Sequence, residues 1–191
     1  MSSLFYVIGP SGAGKDAIMQ AARLALAGKP VLFAHRYITR ATADASENFV
    51  QLSTAEFEQR QRLGLFWLTW QSHQLAYGVG CEVRDWLHQG IRVVVNGSRQ
   101  ALPEVSAICA QDGVTLVPVW VQCEISVLAQ RLRARGRESE AEIQERLHRA
   151  AAFVPPAGAL VVDNSGALSD SVQQFLAYVQ SDAADEVVHV D

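Results

Sequence analysis

The feature that most constrains this chain is a glycine-rich turn close to its N-terminus. It consists of Gly9, Pro10, Ser11, Gly12, Ala13, Gly14 and Lys15, which together fit the pattern G-x-x-x-x-G-K. An apolar run at 4–8 precedes the turn and predicts a buried parallel strand. Residues 15–27 are rich in Ala, Leu, Ile and Met and predict a helix that ends near Gly28. The order strand, glycine-rich turn, helix is the context in which this motif forms a phosphate-binding loop.

The chemistry of such a loop follows from its backbone. Glycines allow tight turning, so that successive N–H groups and the helix N-terminus point at one anion. Lys15 is then placed to contact the β- and γ-phosphates and to offset charge during phosphoryl transfer. The sequence therefore predicts ATP as phosphoryl donor, with Mg²⁺ as its usual counter-ion.

The residue after the lysine is unusual. A serine or threonine that binds magnesium normally stands there, whereas this chain has Asp16. A carboxylate is a hard oxygen ligand and would hold Mg²⁺ directly or through water. The alternative is a simple acidic residue that interacts favourably with the helix dipole.

Predicted strands and helices alternate along the chain. Further strands are expected at 31–34, 91–95, 115–122 and 160–162, and helices at 53–63, 82–88, 102–111, 126–135, 139–152 and 169–180. This order predicts an α/β P-loop NTPase fold with a mostly parallel five-stranded sheet and helices on both faces. One domain is expected over 1–180, with acceptor-binding residues at about 37–88, a lid at about 131–149, and a frayed acidic tail at 181–191.

A dense group of arginines falls in the predicted lid. Arg131 and Arg135 are four residues apart on one helix face, Gly136 then interrupts the helix, and Arg146 follows. A flap of this kind can close over ATP and bring guanidinium groups to the transferring phosphoryl group. The alternative is a solvated helix whose arginines pair with the neighbouring glutamates.

Two further segments follow predicted strands, at the edge where ligands bind in open α/β sheets. The first contains Arg36 and Arg40, which suit an anionic acceptor, and the second contains Asn96 and Ser98 where an acidic residue is common. No general base is evident in either segment. An acceptor phosphate is already ionised and needs none, so the pattern favours a phosphate acceptor over a hydroxyl.

Composition excludes several other classes of protein. The net charge of −4 argues against a nucleic-acid-binding protein. No apolar run approaches the roughly 20 residues of a membrane span, and no signal segment begins the chain, so a cytoplasmic location is expected. Cys81, Cys109 and Cys123 lack metal-ligand spacing and are expected to be buried, reduced thiols. The oligomeric state is left open.

The chain resembles the guanylate kinases. The resemblance extends over about residues 4–180 and rests on the loop 9–15, the tripeptide 38–40, Tyr77-Gly78 and the arginine block 131–147. Two positions depart from that family: Leu68 stands where its guanine-binding glutamate is expected, and Phe49 where its acceptor-binding tyrosine is expected. A leucine cannot accept hydrogen bonds from guanine, so GMP is disfavoured as acceptor.

The chain resembles more closely the ribose 1,5-bisphosphate phosphokinases, a guanylate-kinase-like family of phosphonate metabolism. The supporting segments are 14–16, 36–40, 46–48, 70–78, 95–99 and 163–166. This resemblance implies transfer of the γ-phosphoryl group of ATP to the 1-phosphate of a small phosphorylated sugar, giving 5-phosphoribosyl 1-diphosphate. It places Arg40 and Tyr77, with Arg36 and Asn96 less directly, at the acceptor. It also places Arg131 at the adenine, Arg135 and Arg146 at the phosphates, and Asn164, Ser165 and Gly166 at the nucleotide base.

Three other functions are compatible with parts of the pattern. A nucleoside monophosphate kinase of altered base preference would use the same arginines. A small sugar-acid kinase would need a general base that the sequence does not reveal. A non-catalytic guanylate-kinase-like module would be expected to have an eroded phosphate loop, whereas Gly14 and Lys15 are present here.

Overall fold

Strands and helices alternate through the part of the chain that the computed structural model describes, namely residues 3–40, 48–72, 74–136, 138–152 and 154–181. The strands there are β1 (Ser3–Ile8), β2 (Val31–Phe33), β3 (Arg36–Ile38), β4 (Phe49–Gln51), β5 (Phe66–Ser72), β6 (Leu75–Gly80), β7 (Arg92–Asn96), β8 (Thr115–Gln122) and β9 (Leu160–Asp163). The helices are α1 (Lys15–Ala25), α2 (Thr54–Arg62), α3 (Glu82–His88), α4 (Leu102–Gln111), α5 (Ile125–Arg135), α6 (Glu140–Ala151) and α7 (Leu168–Gln180).

The main sheet has five strands in the order β2-β7-β1-β8-β9, and every neighbouring pair is parallel. Its central strand β1 is buried along its whole length. Leu4, Tyr6 and Ile8 pack on the face covered by α3 and α4, whereas Phe5 and Val7 pack on the face covered by α1 and α7. Apolar residues on both faces require helices on both sides. The predicted fold class is therefore confirmed.

A second sheet, which the sequence did not predict, lies within residues 36–80. It has four strands in the order β4-β3-β6-β5, with an antiparallel hairpin formed by β5 and β6. The segment that contains Arg36 and Arg40 was expected to follow a strand, but Arg36–Ile38 is itself strand β3. Three-residue strands give too little alternation to be recognised, and their pairing depends on distant partners.

Capping residues and a terminal glycine in the sequence mark the ends of several helices. The Ser53 hydroxyl accepts a hydrogen bond from the Glu56 N–H at 3.2 Å, and Ser139 begins α6 with a complete capping box. Gly136 ends α5 at a φ of +60°, where glycine is favoured. Helices α5 and α6 then pack on each other through Leu132, Leu147 and neighbouring apolar residues. The predicted lid is thus built as a helical hairpin with a small core of its own.

Three further predictions concern membrane spans, the cysteines and the C-terminal tail. No described helix is long and apolar enough to cross a bilayer. The three cysteines carry free thiols, but only Cys109 is buried, whereas Cys81 and Cys123 are half-buried. The predicted frayed tail begins at Ser181, and from residue 182 onward it lies outside the described residues.

Candidate active site

The phosphate loop, residues 9–15, joins β1 to α1 at the carboxyl edge of the main sheet. Gly9, Gly12 and Gly14 have backbone φ angles of +152°, +94° and +94°, which residues other than glycine rarely adopt. A Cβ on Gly14 would lie 2.1 Å from the Asn164 Nδ2 atom. The Lys15 ammonium group curls back over the loop and donates to the carbonyl oxygens of Gly9 at 2.9 Å and Pro10 at 3.0 Å. This ammonium group therefore lies on the loop itself.

The loop is held from behind by Asn164, which follows β9. Its Nδ2 donates to the Ala13 carbonyl at 2.7 Å, and its Oδ1 accepts from the Ser171 hydroxyl at 2.9 Å. Asn164 is only 2% exposed, so both hydrogen bonds are made away from water. The amide thus positions the phosphate loop, which is more than the sequence suggested for it. Ser165 is half-buried and Gly166 exposed beside it.

Asp16 lies in the first turn of α1, directly after Lys15. One of its carboxylate oxygens, Oδ1, accepts a hydrogen bond from Asn96 Nδ2 at 2.7 Å, which joins α1 to the end of β7. The other amide atom, Asn96 Oδ1, is buried and has no hydrogen-bond partner in the described part of the chain. A carboxylate beside a buried, unsatisfied oxygen fits a hard cation such as Mg²⁺. Among the described residues there is no cluster of three His, Cys, Asp or Glu side chains, so phosphate and water would complete the coordination of such an ion.

The loop after Asn96 is held in place by Tyr6 of β1. The Tyr6 hydroxyl accepts from the Ser98 N–H at 2.9 Å and donates to the Ser98 carbonyl at 3.1 Å. Gly97 lies against the Tyr6 ring so closely that a Cβ there would be 2.2 Å from a ring atom. Burial raises the pKa of the Tyr6 hydroxyl well above its ordinary value, so it stays protonated and able to donate. Tyr6 therefore fixes the backbone that presents Asn96.

The arginines of the helical hairpin fall into two groups. Arg131 and Arg146 are half-buried and contact the phosphate loop: Arg131 Nη1 is 3.4 Å from the Ala13 carbonyl, and Arg146 Nη1 is 3.2 Å from the Ser11 hydroxyl. A second contact, from Arg146 Nη2 to Glu138 Oε1 at 2.8 Å, orients that guanidinium group. Arg135, which was predicted with them, lies in the last turn of α5 and is exposed.

The second group, Arg133 and Arg149, forms ion pairs in solvent, as expected for a solvated helix whose arginines pair with neighbouring glutamates. Arg133 pairs with Glu140 at 2.5 Å, and Arg149 pairs with Glu145 at 3.7 Å along α6. Their side chains are about half exposed, so each pair contributes little to stability. The alternative interpretation therefore holds for Arg133 and Arg149, whereas the catalytic role of Arg131, Arg135 and Arg146 stays a prediction.

Three of the predicted acceptor residues, Arg36, Arg40 and Tyr77, lie on or beside the second sheet, whereas Asn96 ends β7 of the main sheet. The Arg36 guanidinium stands 5.4 Å from the centre of the Tyr77 ring, and that ring stacks in parallel on Trp70 at 5.5 Å. Tyr77 is only 8% exposed. Arg40 lies just beyond β3, with its guanidinium 5.7 Å from the Phe49 ring. Aromatic faces thus hold both guanidinium groups in fixed positions.

A cavity of about 160 Å³ adjoins the Asp16–Asn96 hydrogen bond, and we name it the α1 cavity. Its lining residues are Asp16, Met19, Gln20, Arg23, Phe33, Ala34, Arg36, Asn48, Val94 and Asn96. The sequence had singled out Asp16, Arg36 and Asn96 from this set but not Arg23. The spacing of Arg23 from Asp16, two helical turns on one face, was the signal that could have found it.

Leu68, at the position of the expected guanine-binding glutamate, belongs to the apolar core. It is 1% exposed on β5. A charged side chain there would be buried among apolar neighbours. This burial agrees with the prediction that the chain lacks the guanine-reading carboxylate.

Sequence comparison finds relatives that are identical to this chain at about half of the aligned positions. A Laribacter hongkongensis protein named ribose 1,5-bisphosphate phosphokinase PhnN is 51% identical over 178 residues, which cover 93% of this chain and 42% of that protein. The chain thus spans less than half the length of that relative. Proteins of the same name from Chromobacterium violaceum and Pantoea vagans are each 48% identical and are covered over 94% and 96% of their lengths. No family model matches the chain.

Structural comparison finds a guanylate kinase fold. The guanylate kinase from Anaplasma phagocytophilum superimposes with a TM-score of 0.64, covering 99% of this chain and 89% of that one. The two sequences are only 13% identical. This likeness shows the shared fold and agrees with the arrangement of the main sheet, the second sheet and the helical hairpin.

Proposed function

This chain belongs to the ribose 1,5-bisphosphate phosphokinase family, and we propose that it transfers the γ-phosphoryl group of ATP to ribose 1,5-bisphosphate. An oxygen of the acceptor's 1-phosphate forms a new bond to the γ-phosphorus. The bond from the γ-phosphorus to the β,γ-bridging oxygen breaks, and ADP leaves. The product is 5-phosphoribosyl 1-diphosphate, and no proton has to be removed from the attacking oxygen.

The observation that carries this proposal is the junction of the phosphate loop with the α1 cavity. The donor loop ends at Lys15, and the next residue, Asp16, already lines the cavity. A donor phosphate in the loop and an acceptor in the cavity would therefore be neighbours. Holding two reactants in contact is the main contribution that a protein makes to phosphoryl transfer.

The donor side is formed by the loop and the helical hairpin. We assign the binding of the β- and γ-phosphates to the backbone N–H groups of residues 9–15 and to Lys15. Arg146 contacts the loop at Ser11 and is assigned to the charge that develops during transfer. Arg131 lies over Ala13, between the loop and the segment after β9, which suits the adenosine side of ATP. Arg135 joins them only if the hairpin closes further.

Magnesium is assigned to the Asp16–Asn96 pair. Asp16 supplies a carboxylate and Asn96 a buried amide oxygen that makes no hydrogen bond to the described residues. When bound, the ion would neutralise phosphate charge. Asn96 also donates to the Asp16 carboxylate, so the same side chain would orient one ligand and supply a second.

The acceptor side is assigned to the arginines of the second sheet. Arg36 lines the α1 cavity and is oriented by the Tyr77 ring, whereas Arg40 is oriented by Phe49. Guanidinium groups bind phosphate through paired N–H donors. We assign Arg40, Tyr77 and Arg36 to the acceptor phosphates.

The size of the cavity favours a sugar phosphate over a nucleotide. A volume of about 160 Å³ is below the usual range of several hundred Å³ for sites that hold drug-sized ligands. Leu68 is buried and offers no hydrogen bond to a base. The alternative of a nucleoside monophosphate kinase is therefore not favoured, and the similarity to the ribose 1,5-bisphosphate phosphokinases speaks against a sugar-acid kinase.

The proposal is tested by identifying the product. Purified protein, ATP, Mg²⁺ and ribose 1,5-bisphosphate are incubated and followed by phosphorus NMR. New diphosphate signals of 5-phosphoribosyl 1-diphosphate are expected alongside ADP, and Lys15→Met should lower the rate by about 100-fold or more. Comparable turnover of GMP, AMP or gluconate, or no turnover of the bisphosphate, would contradict the proposal.

A further inference from the structure

One face of α1 lines the α1 cavity over two helical turns. Asp16 lies at the end next to the phosphate loop, Gln20 follows one turn later, and Arg23 lines the cavity one turn beyond. Seven residues of helix rise by about 10 Å, so Asp16 and Arg23 stand at opposite ends. The cavity therefore has a carboxylate at its inner end and a guanidinium group at its outer end.

Apolar side chains form part of the cavity wall. Met19 of α1, Phe33 at the end of β2, Ala34 directly after it and Val94 of β7 line the cavity. Asn48 closes one side, where its Nδ2 donates to the Phe33 carbonyl at 3.1 Å. Such walls suit the C–H-bearing face of a small sugar ring, while hydroxyl groups face Gln20 and Asn48.

Two arginines from different elements line the α1 cavity, Arg36 from the second sheet and Arg23 from α1. Arginine is suited to phosphate because its planar fork presents paired donors. A sugar bisphosphate carries two phosphates and could therefore bind one arginine with each.

We propose that Arg23 binds the phosphate of the acceptor that does not react, the 5-phosphate if the acceptor is ribose 1,5-bisphosphate. The α1 cavity would then select bisphosphates by contacting both ends of the sugar. Arg23 is a specificity-determining residue in this proposal, which rests on the proposed function. The sugar stays in the cavity between Arg23 and the phosphate loop, so its 1-phosphate points at the donor.

Inhibition by sugars that carry a single phosphate tests the two ends of the cavity one at a time. In wild-type protein, ribose 5-phosphate should inhibit by competing with ribose 1,5-bisphosphate, because it retains the phosphate assigned to Arg23. In Arg23→Gln, the KM for the bisphosphate and the inhibition constant of ribose 5-phosphate should each rise about tenfold, the effect of losing one charged hydrogen bond. Inhibition by ribose 1-phosphate should stay within twofold.

Two further variants complete the test. Arg23→Lys retains the charge and should recover part of the affinity for ribose 5-phosphate. Arg62→Gln removes an exposed arginine at the end of α2 and should change none of the constants. If Arg23→Gln leaves ribose 5-phosphate inhibition unchanged, or weakens both probes equally, Arg23 does not bind that phosphate. If wild-type protein fails to use the bisphosphate at all, the proposed function is wrong instead.

Discussion

Asn96 donates a hydrogen bond to Asp16 across 2.7 Å, although the two residues are 80 positions apart in the chain. The bond connects the start of α1 to the end of β7 and places a carboxylate beside the phosphate loop. It also leaves Asn96 Oδ1 buried and without a hydrogen-bond partner among the residues that the structure describes. This pair is the structural basis for the proposed magnesium site.

Replacing Asp16 should raise the magnesium requirement. In Asp16→Asn, the Mg²⁺ concentration for half-maximal activity should rise about tenfold, because a neutral amide binds a hard cation less tightly than a carboxylate does. Activity titrations with Mg²⁺ would measure the change. The matched control is Asp85→Asn, which removes another acid from the first turn of a helix, α3. Equal magnesium dependence in the two variants would mean that Asp16 serves only the helix dipole.

The two arginines of α6 should differ sharply in their effect on catalysis. Arg146→Gln should lower kcat about 100-fold, since removing one preorganised donor to a transition state typically has that effect. Arg149→Gln removes a guanidinium group from the same helix whose partner is the exposed Glu145, and kcat should stay within twofold. Steady-state kinetics at saturating ATP compares them. A similar loss in both variants would indicate a general effect of charge on α6.

Loss of the Tyr6 hydroxyl should affect both stability and activity. Tyr6→Phe leaves the half-buried Ser98 N–H group without its hydrogen bond, whereas the Ser98 carbonyl still accepts from the Ala101 N–H at 3.2 Å. The free energy of unfolding should therefore fall by about 1–3 kcal/mol. The loop that presents Asn96 loses its support at the same time, so kcat/KM should fall.

Tyr178→Phe is the control for that experiment. The Tyr178 hydroxyl donates to the Val161 carbonyl at 3.1 Å and accepts from Gln174, away from the Asp16–Asn96 pair. Urea unfolding should show a loss of stability for this variant, with kcat/KM retained. A Tyr6 variant that is destabilised but keeps full activity would show that the Ser98 contact does not support the site.

A glutamate at position 68 should destabilise the protein rather than create guanylate kinase activity. Leu68 is 1% exposed, so Leu68→Glu buries an unpaired carboxylate and should lower the free energy of unfolding by about 3–5 kcal/mol. Leu65→Glu is the control, because Leu65 is 50% exposed and tolerates a charge. Thermal unfolding measures both. A stable Leu68→Glu protein that phosphorylates GMP would show instead that position 68 faces the acceptor.

The ion pair that joins α5 to α6 should withstand acid. Hydrogen bonds from Arg133, and then from Gln144, lower the pKa of Glu140 from 4.5 to about 2. Because this folded-state pKa is depressed, the pair's stabilisation is fully present above pH 4.5 and is lost as the pH falls through 2. Carboxyl NMR should give a titration midpoint near 2 for Glu140, and Arg133→Gln should raise it. An unchanged midpoint in that variant would show that the pair does not form in solution.

Much of the fold followed from local features of the sequence. The order of the main-sheet strands and their helices, the caps at Ser53 and Ser139, and the break at Gly136 depend on residues within a few positions of each other. The second sheet did not follow, because β3 and β4 have three residues each and gain their hydrogen bonds only from partners elsewhere in the chain.

The site divides in the same way. The glycines and Lys15 of the phosphate loop were evident from the sequence, because a tight turn that points its N–H groups inward requires those residue types in that order. Only the tertiary structure decided which arginines contact the loop: Arg131 and Arg146 do, whereas Arg133 and Arg149 form ion pairs in solvent. It also decided that Asn164 supports the loop from behind and that Arg23 lines the α1 cavity. These outcomes depend on contacts between distant residues, which only the packing of the sheet and helices brings together.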